Sequence, residues 1–85
     1  MAGLFTFAKF KIGRTSGSAN EVTTNSIYMN MNTMTDVPYS YGTLITYDVE
    51  GSQVVQMYIS AVKSSNSFYI RQRTDSVWSS WANLV

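Results

Sequence analysis

The chain has 85 residues, a net charge of +1, no Cys and no His, and only 13% of its residues are charged. A chain this short buries roughly 60–65% of the surface its unfolded form exposes, which sustains one domain on a thin margin. These facts exclude a disulfide scaffold, a zinc site, Ser-His or Cys-His nucleophile chemistry, and a field strong enough to draw the chain onto nucleic acid or anionic lipid.

Apolar residues alternate with a period of two in several short runs, and no window keeps the i, i+3, i+4, i+7 spacing of an amphipathic helix. The expectation is a single all-β domain over residues 1–85. Its first strand spans 4–12, with Leu4, Ala8, Phe10 and Ile12 on one face and Phe5 and Phe7 on the other. Lys9 and Lys11 interrupt this stretch, which falls far short of the roughly 20 apolar residues that span a bilayer, so no membrane insertion is expected. Gly13 to Asn20 reads as a Gly/Ser-rich loop or linker, with a weak signal for a short helix around 20–26. Residues 26–31 form a second strand that sets Ile27, Met29 and Met31 against Tyr28, Asn30 and Asn32. Thr35-Asp36-Val37-Pro38 is an irregular connection, because Pro38 keeps Val37 out of helix and removes a ladder donor.

From there the pattern sharpens into a three-stranded antiparallel meander at 41–74. Tyr41 to Val49 is a strand, Glu50-Gly51-Ser52 closes a hairpin with Gly51 free to take a positive φ, and Gln53 to Ala61 is its partner. Lys63-Ser64-Ser65-Asn66 turns the chain into Phe68 to Thr74. The tail from Ser76 to Val85 carries Trp78 and Trp81. Two indoles and a Leu-Val end cost too much to leave in water at roughly 25 cal/mol per Å² of apolar area, so the tail is expected to dock on the sheet or on a neighbouring chain.

Catalytic chemistry finds little material. The five carboxylates, Glu21, Asp36, Asp48, Glu50 and Asp75, are too scattered for a calcium loop, so no metal or cofactor is expected. Asp48 and Glu50 share a strand face, as a glycosidase pair would, but at a hairpin end where solvated charges are ordinary. No catalytic residue is assigned. Lys9 with Lys11 and Arg71 with Arg73 lie near aromatic residues, yet four separated charges make a weak footprint for single-stranded nucleic acid. The surface is instead neutral and polar, since 12 Ser, 9 Thr and 6 Asn supply 27 of the 85 residues.

Aromatic residues make up 14% of the chain. Phe5, Phe7, Phe10 and Phe68 read as core or subunit contacts, whereas stacking on a sugar ring competes at Tyr39, Tyr41, Tyr69 and Trp78. With disulfides and metals excluded, self-association is the remaining support for so small a fold.

In the second half, Asn32-Thr33-Met34, Tyr39-Ser40-Tyr41-Gly42-Thr43-Leu44, Gln56-Met57-Tyr58, Tyr69-Ile70-Arg71 and Trp78-Ser79-Ser80-Trp81 follow one another in order. Over residues 31–85 this resembles a pyocin-knob-type domain, found at the C-terminal end of phage tail fibres, tailspikes and pyocin fibres. The resemblance implies a homotrimeric virion component of the distal tail, part of a longer fibre or tailspike chain, that contacts bacterial surface polysaccharide. The brief bridge at 35–38 departs from that family, which carries a Gly and an extra strand there. Gln56 and Tyr58 share one strand face, and Tyr69 and Arg71 share a face of the next, so the four are placed to meet across the ladder. They fit two roles. One is a structural Gln-Arg-Trp cluster that pins the chain end, anchored by Trp78, Trp81 and Leu84 with Phe5 and Phe7, in a trimerisation clamp without ligand. The other is a saccharide site of Trp78, Tyr69, Arg71, Gln56, Tyr58, Tyr39 and Tyr41.

Overall fold

The structure, a computed structural model, describes residues 11–14, 16–50, 53–61 and 67–84. In chain order these form β1 (Lys11–Arg14), β2 (Gly17–Ser18), a 3-10 turn (Ala19–Glu21), β3 (Ser26–Met31), β4 (Met34–Thr35), β5 (Tyr41–Glu50), β6 (Gln53–Ser60), β7 (Phe68–Thr74), β8 (Val77–Trp78) and β9 (Ala82–Asn83). The main sheet runs β1-β3-β5-β6-β7-β8, with β9 also on β7, and β2 and β4 form a separate two-stranded ladder.

The expected meander is present as β5, β6 and β7, antiparallel throughout, with Leu44 opposite Tyr58 and Gln56 opposite Arg71. The turns expected at Gly51 and at 63–66, and the strand residues Phe5, Phe7 and Phe10, lie outside the described residues. At the first strand the chain does something the alternation does not reveal: β1 pairs with β3 in parallel, Lys11 opposite Ser26. Parallel neighbours need a long crossover, and its described part is residues 16–25.

That crossover is more ordered than a Gly/Ser linker. Gly17 and Ser18 pair with Met34 and Thr35. The Ser18 hydroxyl accepts from the Asn20 amide at 3.0 Å and caps the 3-10 turn at Ala19–Glu21, which overlaps only the start of the weakly signalled helix around 20–26. The tail is also built: Asp75 and Ser76, with φ of 51° and 71°, make a two-residue reversal that returns β8 onto β7. Two consecutive positive φ values match the twist of the flanking strands.

The sheet has two unlike faces. On the covered face, Ala19, Leu44 and Tyr58 are fully buried and Met34 nearly so, with Val22, Val37, Tyr39, Tyr69 and Trp81 packed around them. Gly42 allows this closure, because a Cβ there would stand 2.5 Å from the Ile59 carbonyl oxygen and 2.7 Å from the Tyr58 ring. The other face, by alternation along β3 to β7, carries Ile27, Met29, Met31, Tyr41, Ile45, Tyr47, Val49, Val55, Met57, Ile59, Phe68 and Ile70. Thr43, Gln53, Gln72 and Thr74 are its polar members, and none of these described side chains is charged.

Candidate functional site

Under the covering loops, Ser26, Thr46, Gln56 and Arg71 stand in one row across β3, β5, β6 and β7. All four are buried. Gln56 ties the row together. Its Nε2 lies 2.9 Å from the Ala19 carbonyl, 3.0 Å from the Val22 carbonyl and 3.2 Å from the Thr46 hydroxyl, while its Oε1 accepts from Arg71 Nε at 2.8 Å. Every polar end of the amide is thereby used.

The Arg71 guanidinium lies between two indoles, 3.9 Å from the Trp78 ring centroid and 4.4 Å from that of Trp81. Cation–π contact of this kind gains strength when water is excluded. Burial lowers the Arg71 pKa to about 10 and the Asp36 carboxylate draws it back up, so the group is cationic at neutral pH. Each indole also reaches a covering loop: Trp78 Nε1 donates to the Asn20 carbonyl at 3.2 Å, and Trp81 Nε1 to the Asp36 carbonyl at 3.0 Å.

A second buried set centres on Asn30. Its Oδ1 accepts from the Thr33 and Met34 amides, both at 3.0 Å, and its Nδ2 donates to the Tyr58 hydroxyl at 2.9 Å. That hydroxyl donates in turn to the Tyr39 carbonyl at 2.8 Å. Burial raises the Tyr58 pKa, with the Asn30 hydrogen bond pulling the other way. The two sets fix the 32–40 loop against the sheet. Beside it opens a cleft of about 410 Å³ lined by Asn32, Met34, Thr35, Asp36, Val37, Pro38, Tyr39 and Ser40. The Asp36 carboxylate accepts from the Ser18 and Thr35 hydroxyls, and the Tyr39 ring leans on Tyr69 with centroids 5.9 Å apart.

The structure thus brings together Gln56, Tyr58, Tyr69, Arg71, Trp78 and Trp81, with Tyr39 at their rim. Gln56 and Tyr58 are wholly enclosed, leaving no surface for a ligand to touch. Tyr41 stands apart on the open face at 44% exposure, and Leu84 is exposed at the tail. Phe5 and Phe7 lie outside the described residues. The Asp48 and Glu50 backbone is split by a register shift, so the strict alternation that would pair their side chains breaks there. Among the described residues no acidic cluster able to hold a metal ion forms. Asn20, Asn30 and Asp36, which the sequence pattern does not single out, prove central. Their signal is weak: Asn and Asp are ordinary turn residues, and only the fold shows which backbone groups they serve.

No curated protein and no solved structure matches the chain. A family model does, and it reaches well upstream of the 31–85 region that resembles a pyocin knob; it supports a phage tail-related domain with a structural role, not the knob type in particular. Over residues 5–83 the chain matches the model for the phage-like element PBSX protein XkdV 3rd domain, and it belongs to that family of phage proteins.

Proposed function

We propose that this is a non-catalytic domain of a phage tail fibre or tailspike that assembles as a homotrimer in the distal tail and contacts bacterial surface saccharide. Membership of a phage protein family supports the setting. The cleft beside the 32–40 loop carries the binding part of the reading. It offers hydroxyls and amides at Asn32, Thr35 and Ser40, one carboxylate at Asp36 and an aromatic face at Tyr39, the groups that recognise neutral polyols by hydrogen bonding and stacking. Asn30, Tyr58 and Trp81 hold the loop in one shape through Thr33, Met34, Tyr39 and Asp36, so that little ordering entropy is lost on binding.

Screening the intact chain against bacterial surface polysaccharides tests this, with Tyr39→Ala and Asp36→Asn as variants and Tyr69→Ala beside them. Binding by the wild type that falls at least tenfold in Tyr39→Ala, with the circular dichroism unchanged, is the expected result. A second reading, a trimerisation clamp without ligand, is favoured by the Arg71 sandwich, which ties the chain end to both covering loops. A trimeric wild type that binds no polysaccharide in the screen decides for the clamp.

A further inference from the structure

A second cleft has no part in the function proposed above. It opens under the crossover, has a volume of about 400 Å³, and takes its lining chiefly from Ser16, Ser18, Glu21, Thr23, Thr24 and Tyr28. In content it repeats the cleft beside the 32–40 loop, which measures about 410 Å³: polar side chains around one carboxylate and one tyrosine ring. Gly13 stands opposite Tyr28 in the β1–β3 pairing, and a Cβ there would meet nothing within 4 Å. That position therefore sends no side chain across the Tyr28 ring.

The two clefts share one wall. Gly17 and Ser18 line the second cleft, Met34 and Thr35 line the first, and these residues are the β2–β4 ladder, Gly17 opposite Met34 and Ser18 opposite Thr35. Paired strands lie about 4.8 Å apart, so the strand bordering one cleft runs one spacing from the strand bordering the other. At Gly17 the wall carries no side chain, and a Cβ there would also meet nothing within 4 Å. The wall is stiff as well as thin. The Gly17 amide donates to the Thr33 carbonyl at 3.3 Å, and the Ser18 hydroxyl on one side donates to the Asp36 carboxylate on the other. The spacing of the clefts is thus set before any ligand arrives.

Like size, like content and fixed spacing suit a ligand built of repeating units. Each cleft is near the lower end of the ~300–1,000 Å³ range of ligand sites, with room for a short stretch of sugar chain. A polymer held in one cleft offers its next units to the other at an effective concentration of the order of mM, and the rigid wall keeps the ordering cost of the second contact low. We infer that the cleft under the crossover is a further saccharide subsite, and that the ligand is an extended polysaccharide chain lying across the β2–β4 ladder with units in both clefts. This rests on the saccharide reading given above and deepens it. Tyr28 and Tyr39 each offer a ring face to one unit, and Glu21 and Asp36 each accept from its hydroxyls.

Graded fragments of the polysaccharide that the intact chain binds in the screen test this by calorimetric titration. In the wild type, affinity should rise by about tenfold or more between fragments that fill one cleft and fragments that reach both, and then level off. Gly13→Phe fills the space beside Tyr28 without removing a core side chain, and Tyr28→Ala removes the ring. With the circular dichroism unchanged, each should weaken the long fragment by about tenfold or more and leave the short one within about twofold. Affinity that does not grow with length, or a folded Gly13→Phe variant with wild-type affinity for the long fragment, overturns the inference and leaves the cleft beside the 32–40 loop as a single site. A wild type that binds no polysaccharide overturns the saccharide reading itself, and the inference with it.

Discussion

At Gly42 the covered face has no room for even a methyl group, since the nearest obstacle is a backbone carbonyl that cannot swing aside. Gly42→Ala is expected to cost about 1–3 kcal/mol, the usual penalty of overpacking, read as a lower urea midpoint at unchanged slope. Two replacements in the polar row should rank unequally. Arg71→Met removes a desolvated charge and keeps an unbranched chain between the indoles. Gln56→Leu strands the Ala19 and Val22 carbonyls and takes away the acceptor of Arg71 Nε. Arg71→Met leaves one neutral acceptor, Gln56 Oε1, unpaired, whereas Gln56→Leu strands two carbonyls and a buried cation, so Gln56→Leu should lose about 2–4 kcal/mol in chemical denaturation and Arg71→Met less. Tyr58 sets a pH dependence. Its pKa is raised in the folded chain, so the native state keeps a proton that the unfolded state releases above about pH 10; stability is full below that pH and falls as pH rises through it. Arg71, lowered to about 10, acts with the opposite sign over the same range. Comparing wild type with Tyr58→Phe leaves Arg71 common to both, and the variant's melting temperature should fall less steeply above pH 10.

Among the elements, the reversal between β7 and β8 is built from Asp75 and Ser76, two residues with side chains held at positive φ. Glycine takes that conformation without the Cβ penalty, so Ser76→Gly should stabilise by about 0.5–1 kcal/mol, seen as a rise of roughly 2–6 °C in the melting temperature. The meander was legible because its strands alternate cleanly and Gln56 and Arg71 sit at positions that a hairpin register brings together. The parallel β1 was not, since alternation reveals a strand but not the direction of its neighbour, and the crossover owes its path to the Ser18 cap and the β2–β4 ladder. The facing of β3 also eludes the pattern. Hydrophobicity alone turns Ile27, Met29 and Met31 inward, yet Ser26 and Asn30 hold that place because the amides of Thr33 and Met34 need an acceptor at the bend. The enclosed members of the site could be named from strand faces, whereas the cleft beside the 32–40 loop could not, being shaped by irregular backbone.

For the molecule as a whole, the seam between sheet and covering loops is closed by residues far apart in the chain. The Trp78 indole reaches an Asn20 carbonyl that precedes it by 58 residues. At translation rates of about 5–20 residues per second, the crossover waits roughly 3–12 s for that partner, while a hairpin forms in about 1–10 µs. The β5–β6 hairpin is therefore made long before its cover can be fastened, and during that interval the buried row is open to water. A chain ending ahead of Trp78 is expected to keep the β5–β6 register and to lose the two indole hydrogen bonds that hold the covering loops. Trp78 and Trp81 thus convert a paired sheet into a covered one, each fastening a different loop to the strands beneath it.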